Sequence, residues 1–104
     1  GAHVGEVIMN RMNNFKKECS AIGDVRGVGA MIGIEFVKNS DPNEPDGALC
    51  SQIVKGCAEQ GLVMLSAGIH KNVIRILSPL VITDEQLNKG LDILINEIKK
   101  LTIA

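Results

Sequence analysis

A single arginine stands inside the apolar run VIRIL (residues 73–77), and this residue, Arg75, is the strongest candidate for chemistry. A guanidinium can hold a carboxylate through two parallel hydrogen bonds, a geometry that lysine does not reproduce. Side chains alternate across a strand, so the two isoleucines share one face and the arginine lies on the other, with Val73 and Leu77. Two hypotheses follow: Arg75 binds an acidic small molecule, or it pairs with a structural carboxylate such as Glu35. The pattern alone leaves both open.

The other residues that could carry chemistry are scattered. They are His3, His70, Ser66 and the cysteines Cys19, Cys50 and Cys57. Neither histidine stands at helical spacing from another metal ligand, the serine has no assigned base, and no basic residue is placed to activate a thiol. An odd number of cysteines without a CxxC pair is typical of reduced thiols in a cytosolic protein. We predict no catalytic residue and no metal site in this chain.

Two segments imitate ligand-binding loops but fail on spacing. In the glycine-rich segment 27–33, a dinucleotide fingerprint would require glycine at position 32, which is isoleucine, and a helix where a strand is predicted. The acidic loop 41–46 has Pro45 where a calcium ligand belongs, and Gln52 at the twelfth position. We interpret the first as close strand packing and the second as a solvated loop. Arg26 is interpreted as structural, in an ion pair across a domain boundary.

Hydrophobic periodicity predicts the elements that must position Arg75. Around the candidate strand 72–77, alternation in the strand that ends at Val37 places Ile32, Ile34 and Phe36 on one face and Met31, Gly33 and Glu35 on the other. Before this strand, the sequence predicts a helix from about Val4 to the stop signals at Cys19–Gly23, and a short strand, Val25–Val28, with a bend at glycines 27 and 29. After it come a polar loop, Lys38–Gly47, and a helix that is capped by Asp46 and stops at Gly61. The other elements are a strand, Leu62–Leu65, and a last helix that begins with a Thr83–Gln86 capping box.

This order of elements predicts the α+β class. The expected architecture is a two-layer sandwich in which three helices cover a small, mostly antiparallel sheet of three to four strands. With 104 residues the chain is long enough for one compact domain, residues 1–104, and not for two.

Composition excludes several classes of partner. The formal net charge is −1 with no dense basic run, and aromatic residues make up 2% of the sequence, so neither a phosphate backbone nor stacked bases find a binding surface. No apolar stretch approaches the roughly 20 residues of a membrane-spanning helix. The first residues do not form a secretory signal, and they lack an initiator methionine, as is expected of a fragment of a longer chain or of a processed protein.

Three blocks of the sequence resemble the class III pyridoxal-phosphate aminotransferases. They are IGDVRGVGAMIGIE (22–35), GLVMLSAG (61–68) and NVIRILSPLVIT (72–83), and they occur in the family's order and at its spacing. With the helices, the resemblance covers almost the whole chain and corresponds to the C-terminal small domain of a fold type I enzyme. Within this family, the sequence is most similar to the 4-aminobutyrate subfamily, since Ser78-Pro79 stands where the ornithine and acetylornithine enzymes usually carry two prolines.

The resemblance implies a role for Arg75. It matches the small-domain arginine that binds the α-carboxylate of glutamate or 2-oxoglutarate, and that pairs with a large-domain glutamate when 4-aminobutyrate is bound. The family's pyridoxal phosphate is carried by a lysine of the large domain, so the cofactor is expected in the full-length enzyme and not on this fragment, which is predicted to be inactive alone. A cytoplasmic homodimer acting on amino acids and keto acids is also implied.

Three alternatives remain at this point. The chain could be a free-standing regulatory module that binds a small carboxylate through Arg75, or an interaction domain whose Arg75 face docks a partner. It could also come from another class III aminotransferase, of the ornithine or acetylornithine type.

Overall fold

The computed structural model describes residues 2–28, 31–77 and 83–102. Within these ranges no helix is long and apolar enough to span a bilayer. The elements are α1 (Ala2–Lys16), β1 (Ile22–Val28), β2 (Met31–Lys38), β3 (Asp41–Pro45), α2 (Gly47–Glu59), β4 (Leu65–Ala67), β5 (Val73–Leu77) and α3 (Asp84–Thr102).

The strands form an antiparallel sheet in the order β1-β2-β5-β4, and β3 pairs with the end of β2. The three helices form one layer on one face of this sheet, in which α1 and α2 contact the strands and α3 packs against α1 and α2. The buried side chains of Ile34, Phe36 and Ile74 project from the two central strands into the helix layer, where they join an aliphatic cluster. The predicted α+β sandwich is therefore confirmed, and the alternation predicted for β2 is observed.

Local signals for the helix ends are also borne out. Asp46 accepts a hydrogen bond from the Leu49 amide at 3.0 Å and caps α2. At the start of α3, the Gln86 amide donates to the Thr83 hydroxyl and the Thr83 amide donates to the Gln86 side chain, both at 3.1 Å, which is the reciprocal capping box.

Residues 41–45 were predicted to be loop, and this was wrong. They form β3, because Asn39 and Ser40 both take positive φ (52° and 61°) and turn the chain back on itself in a two-residue hairpin loop. The prolines at 42 and 45 are tolerated because β3 has only one neighbouring strand and need not donate from every amide. Within the described residues, β1, β2, β5 and β4 form the predicted four strands, and β3 adds a fifth beside β2.

The strand predicted at Leu62–Leu65 is displaced to β4 (Leu65–Ala67). The Leu62 amide donates to the Cys57 carbonyl at 2.9 Å, and the Gly61 amide donates to the Ala58 carbonyl at 3.0 Å. This hydrogen-bond pair is a Schellman motif, and it requires the positive φ of Gly61 (89°). Leu62 therefore belongs to the end of α2. The first helix also ends earlier than predicted, at Lys16. The bend expected at Gly29 lies outside the described residues.

Two fully buried thiols on α2 give the fold a predicted pH dependence. Burial raises the pKa of Cys50 and of Cys57 from 9.0 to about 11, with smaller contributions from the negative charges of Asp46 and Glu97 respectively. The unfolded chain therefore loses these protons at lower pH than the folded chain. The two thiols contribute their full stability below pH 9, and this contribution is lost as pH rises towards 11, by about 2–3 kcal/mol per thiol.

Urea unfolding at pH 8 and pH 10.5 measures this loss. Because lysines also titrate in this range, the matched control is the double variant Cys50→Ala with Cys57→Ala. We expect the double variant to be less stable at pH 8 and to lose less of its remaining stability at pH 10.5. Equal losses in both proteins would show that the thiols do not cause the alkaline destabilisation.

Candidate functional site

The sheet face opposite the helices carries the candidate residues in two rows. Directly opposed residues of an antiparallel pair share a face, and the register opposes Arg26 to Gly33, Gly33 to Arg75, and Arg75 to Leu65. One row therefore crosses four strands with a glycine between two arginines. The neighbouring row, one pleat along, consists of Asp24, Glu35, Val73 and Ala67.

Arg75 is exposed on this face, as its strand pattern predicted. In the described parts of the chain, no hydrogen bond or ion pair joins its guanidinium to another residue. The flanking isoleucines face the helix layer, where Ile74 is fully buried and Ile76 partly so. Leu77 was also expected on the Arg75 face, but its side chain is not among those that the structure describes. A hydrophobic strand thus presents one unpaired cation, with all five donor N–H groups of its guanidinium available.

A trough of about 250 Å³ lies beside the guanidinium. Its lining consists of Arg26, Met31, Gly33, Gly68, Val73 and Arg75. Gly33 forms the floor between the two arginines, where any side chain would project into the space. Val73 is buried against the two glycines, since Cβ atoms built at Gly33 and Gly68 would lie 3.4 and 3.2 Å from its methyl groups. The site therefore combines an apolar wall with the guanidinium of Arg75 at one end and Arg26 at the other.

Arg26 has two acidic partners. Its Nη1 lies 3.1 Å from Asp24 Oδ2 and 3.5 Å from Glu35 Oε1. The ion pair expected across a domain boundary is thus found within the sheet, because these side chains project from adjacent rows of one face. Glu35, which the sequence offered as a partner for Arg75, is engaged by Arg26 instead. The hypothesis of a structural ion pair for Arg75 is not supported.

The position of Arg75 along the sheet is fixed by Asn72, a buried residue that the sequence analysis did not single out. Its side-chain amide donates to the Phe36 carbonyl at 2.9 Å, and the Phe36 amide donates to the Asn72 carbonyl at 2.8 Å. These bonds lock the start of β5 to β2, three residues before the arginine. An asparagine directly before an apolar strand was the signal available.

The remaining candidates do not converge on the trough. His70 and Ser66 are exposed and lie outside its lining, and the three cysteines are buried in the core with no disulfide. Nothing is described of the His3 side chain. Across residues 2–28, 31–77 and 83–102, no group of three or more histidine, cysteine, aspartate or glutamate side chains is arranged to hold a metal.

The lining offers no lysine, and every lysine that the structure describes is at least partly exposed at the surface. A covalently held pyridoxal cofactor needs a lysine in an enclosed pocket, so the described residues do not fit this group. The chemistry available at the trough is recognition of an anion by the guanidinium of Arg75, because the carboxylates of Asp24 and Glu35 beside the lining are already paired with Arg26.

Four large apolar side chains of the described residues are exposed. Leu65, opposite Arg75, is 66% exposed, and Met31 in the trough lining is 42% exposed. Val63 and Ile69, which flank β4 in sequence, are 79% and 96% exposed. Apolar surface is therefore exposed next to Arg75, at Leu65 and Met31.

The family model "Aminotransferase class-III" matches residues 1–98. The chain is 51% identical over 91 residues to 4-aminobutyrate aminotransferase GabT of Escherichia coli, and 45% identical over 91 residues to a probable 4-aminobutyrate aminotransferase of Bacillus subtilis. Each alignment covers 88% of this chain and 21% of the relative, so the chain spans about a fifth of the length of these relatives.

The fold matches as well. A PLP-bound aminotransferase mutant from Vibrio fluvialis superimposes with a TM-score of 0.77 at 26% identity, over 89% of this chain and 20% of that one.

Proposed function

Because this chain belongs to the class III aminotransferases, a pyridoxal-phosphate-dependent family, we propose that it serves as the C-terminal small domain of a longer transaminase and that Arg75 binds the substrate carboxylate. The observation that carries the proposal is the exposed guanidinium of Arg75, which pairs with no other side chain of the described residues and lies at the edge of a glycine-floored trough. The proposed reaction is transfer of an amino group from 4-aminobutyrate to 2-oxoglutarate, supported by the relatives with 45–51% identity.

Arg75 acts through position and charge. Two parallel hydrogen bonds from its guanidinium fix both the location and the plane of the α-carboxylate of glutamate or 2-oxoglutarate. Fixing that group orients the adjacent carbon, on which the reaction takes place. The pyridoxal cofactor, when bound by the rest of the enzyme, supplies the electron sink for that carbon. The apolar wall formed by Val73 limits access of water to the ion pair and so strengthens it.

The rest of the enzyme is part of the proposal. The cofactor lysine is assigned to the large domain, so the 104 residues alone are proposed not to transaminate. The exposed residues Met31, Val63, Leu65 and Ile69 are proposed to contact that large domain. The full-length enzyme is also proposed to be a cytoplasmic homodimer.

Two alternatives, a free-standing regulatory module and a pure interaction domain, lose support because the chain belongs to an enzyme family. The third alternative, an ornithine or acetylornithine enzyme, is tested by comparing the rates with different amino donors. The Ser78-Pro79 pair that bears on this choice lies outside the described residues.

The trough is tested by Gly33→Val in the longer enzyme. A Cβ at Gly33 would come no closer than 3.4 Å to its nearest neighbour, a methyl group of Val73, so the backbone accepts a side chain. The additional methyl groups of valine would occupy the space between the arginines, and we expect the KM for 2-oxoglutarate to rise by about tenfold. Steady-state kinetics at saturating amino donor measure this change.

Gly33→Ala is the matched control, since one methyl group makes only ordinary contact, and its KM should stay near that of the parent. Melting temperatures of both variants separate blocking from unfolding. A Gly33→Val enzyme with parental stability and an unchanged KM for 2-oxoglutarate would rule out the trough as the carboxylate site.

A further inference from the structure

Glu35 occupies a position from which it could reach either arginine of the site. It lies directly opposite Asp24 on one side and Val73 on the other, whereas Arg26 and Arg75 lie two residues further along the two flanking strands. Both arginines are thus diagonal neighbours of Glu35 on the same face. Diagonal neighbours in a sheet are about 7–8 Å apart at the backbone, within the reach of long side chains.

The carboxylate of Glu35 is turned towards Arg26. Besides the 3.5 Å approach of its Oε1 to Arg26, its Oε2 would lie 3.5 Å from a Cβ built at Gly23, so the group leans over β1. Asp24, at 3.1 Å from the same guanidinium nitrogen, anchors Arg26 on its own strand.

The charges on this face explain why it matters which arginine Glu35 binds. Arg26 brings one positive charge against the two negative charges of Asp24 and Glu35, and all three side chains are partly exposed. Without Arg26, Asp24 and Glu35 would repel each other across the strand pair, and the nearest remaining cation on the face would be Arg75. An ion pair of Arg75 with Glu35 would use the donors that a substrate carboxylate needs.

We infer that Arg26 is a positioning residue, which holds Glu35 on the β1 side of the sheet and thereby keeps the guanidinium of Arg75 free for the substrate carboxylate. This inference rests on the proposed function of Arg75 and extends it. Arg26 acts through Glu35 and not by contact with the substrate. Arg26 therefore tunes the affinity for the acidic substrate without taking part in the chemical step.

A double-variant cycle in the longer holoenzyme tests the inference. Arg26→Gln should raise the KM for 2-oxoglutarate about two- to fivefold with kcat unchanged, the size expected for a competing, partly exposed ion pair. Glu35→Gln alone should not raise it. The double variant Arg26→Gln with Glu35→Gln should return to the parental KM, because the competing carboxylate is gone. Arg26→Lys, which keeps the charge, should stay near the parent.

Two kinetic results would overturn the inference. A double variant that keeps the defect of Arg26→Gln would show that Arg26 contacts the substrate or supports the sheet by itself. If the KM rose as much in Glu35→Gln as in Arg26→Gln, the ion pair between these two residues would itself support substrate binding, and keeping Arg75 unpaired would not be its role.

An NMR measurement on the 104-residue chain separates this inference from the proposed function. In Arg26→Gln, the Nε–H proton of Arg75 should exchange more slowly with water, and this slowing should disappear in the double variant. Absence of slowing would reject the inference and leave the substrate role of Arg75 standing. Slowing together with unchanged 2-oxoglutarate kinetics in both Arg26→Gln and Arg75→Ala would instead reject the substrate role, and the inference with it.

Discussion

Replacing Arg75 with alanine in the longer enzyme is expected to lower kcat/KM for 2-oxoglutarate about ten- to a hundredfold while the half-reaction with 4-aminobutyrate stays near its parental rate. One hydrogen bond to a charged group contributes roughly 1.5–3 kcal/mol, which is about ten- to a hundredfold in kcat/KM, so the loss of the paired bonds with the guanidinium costs at least this much. The amino donor 4-aminobutyrate has no α-carboxylate, so it does not use them. Single-turnover measurements of the two half-reactions separate the effects.

Two control variants show whether the effect is specific to the paired donors of Arg75. Arg75→Lys keeps the positive charge but not the paired donors, and it should recover only part of the lost activity. Arg11→Ala removes an arginine that binds Asn88 and Asp92 on α3, on the other side of the sheet, and it should leave both half-reactions unchanged. Equal losses for 2-oxoglutarate and 4-aminobutyrate in Arg75→Ala would contradict the assigned role.

Replacing Phe36 with alanine is expected to lower the free energy of unfolding by about 3–5 kcal/mol. Phe36 is fully buried in the central strand β2, where it faces the helices, and truncation leaves a cavity that the sheet cannot close. Since domains of this size are stable by only about 5–15 kcal/mol, this loss is a large part of the total. Denaturant unfolding followed by circular dichroism measures it.

The control for Phe36→Ala is Val63→Ala, at a site that is 79% exposed in the described chain. Its unfolding free energy should change by no more than about 0.5 kcal/mol. If Phe36→Ala cost less than 1 kcal/mol, the helix layer would not rest on this face of β2, and the arrangement of the two sheet faces would have to be revised.

Periodicity and capping were enough to predict most of the fold. The alternation from Met31 to Val37 fixed which face of the central strand meets the helices, because a one-residue slip would have buried Glu35. The segment 41–45 was missed because two prolines and three acidic or amide residues outweighed the turn signal at Asn39. Leu62 was misassigned because an apolar residue after a glycine can serve either a strand or the end of a helix.

The site was predictable in part. The pattern of β5 placed Arg75 on the face away from the helices, because its isoleucine neighbours had to be buried. The sequence pattern could not decide which arginine Glu35 would bind, because this depends on strand order and register. Only the folded sheet places β2 between β1 and β5. The trough likewise arises from tertiary structure, as Gly33 and Gly68 come from distant parts of the chain.

The central claim is that the guanidinium of Arg75 holds an acid group of the substrate. The crystal structure of the longer enzyme with glutarate, a dicarboxylate that cannot be aminated, tests this claim most directly. We predict one carboxylate of glutarate accepting two hydrogen bonds from Arg75, at nitrogen–oxygen distances of about 2.7–2.9 Å, with Glu35 still on Arg26. Glutarate bound elsewhere, with Arg75 turned away or paired to Glu35, would contradict it.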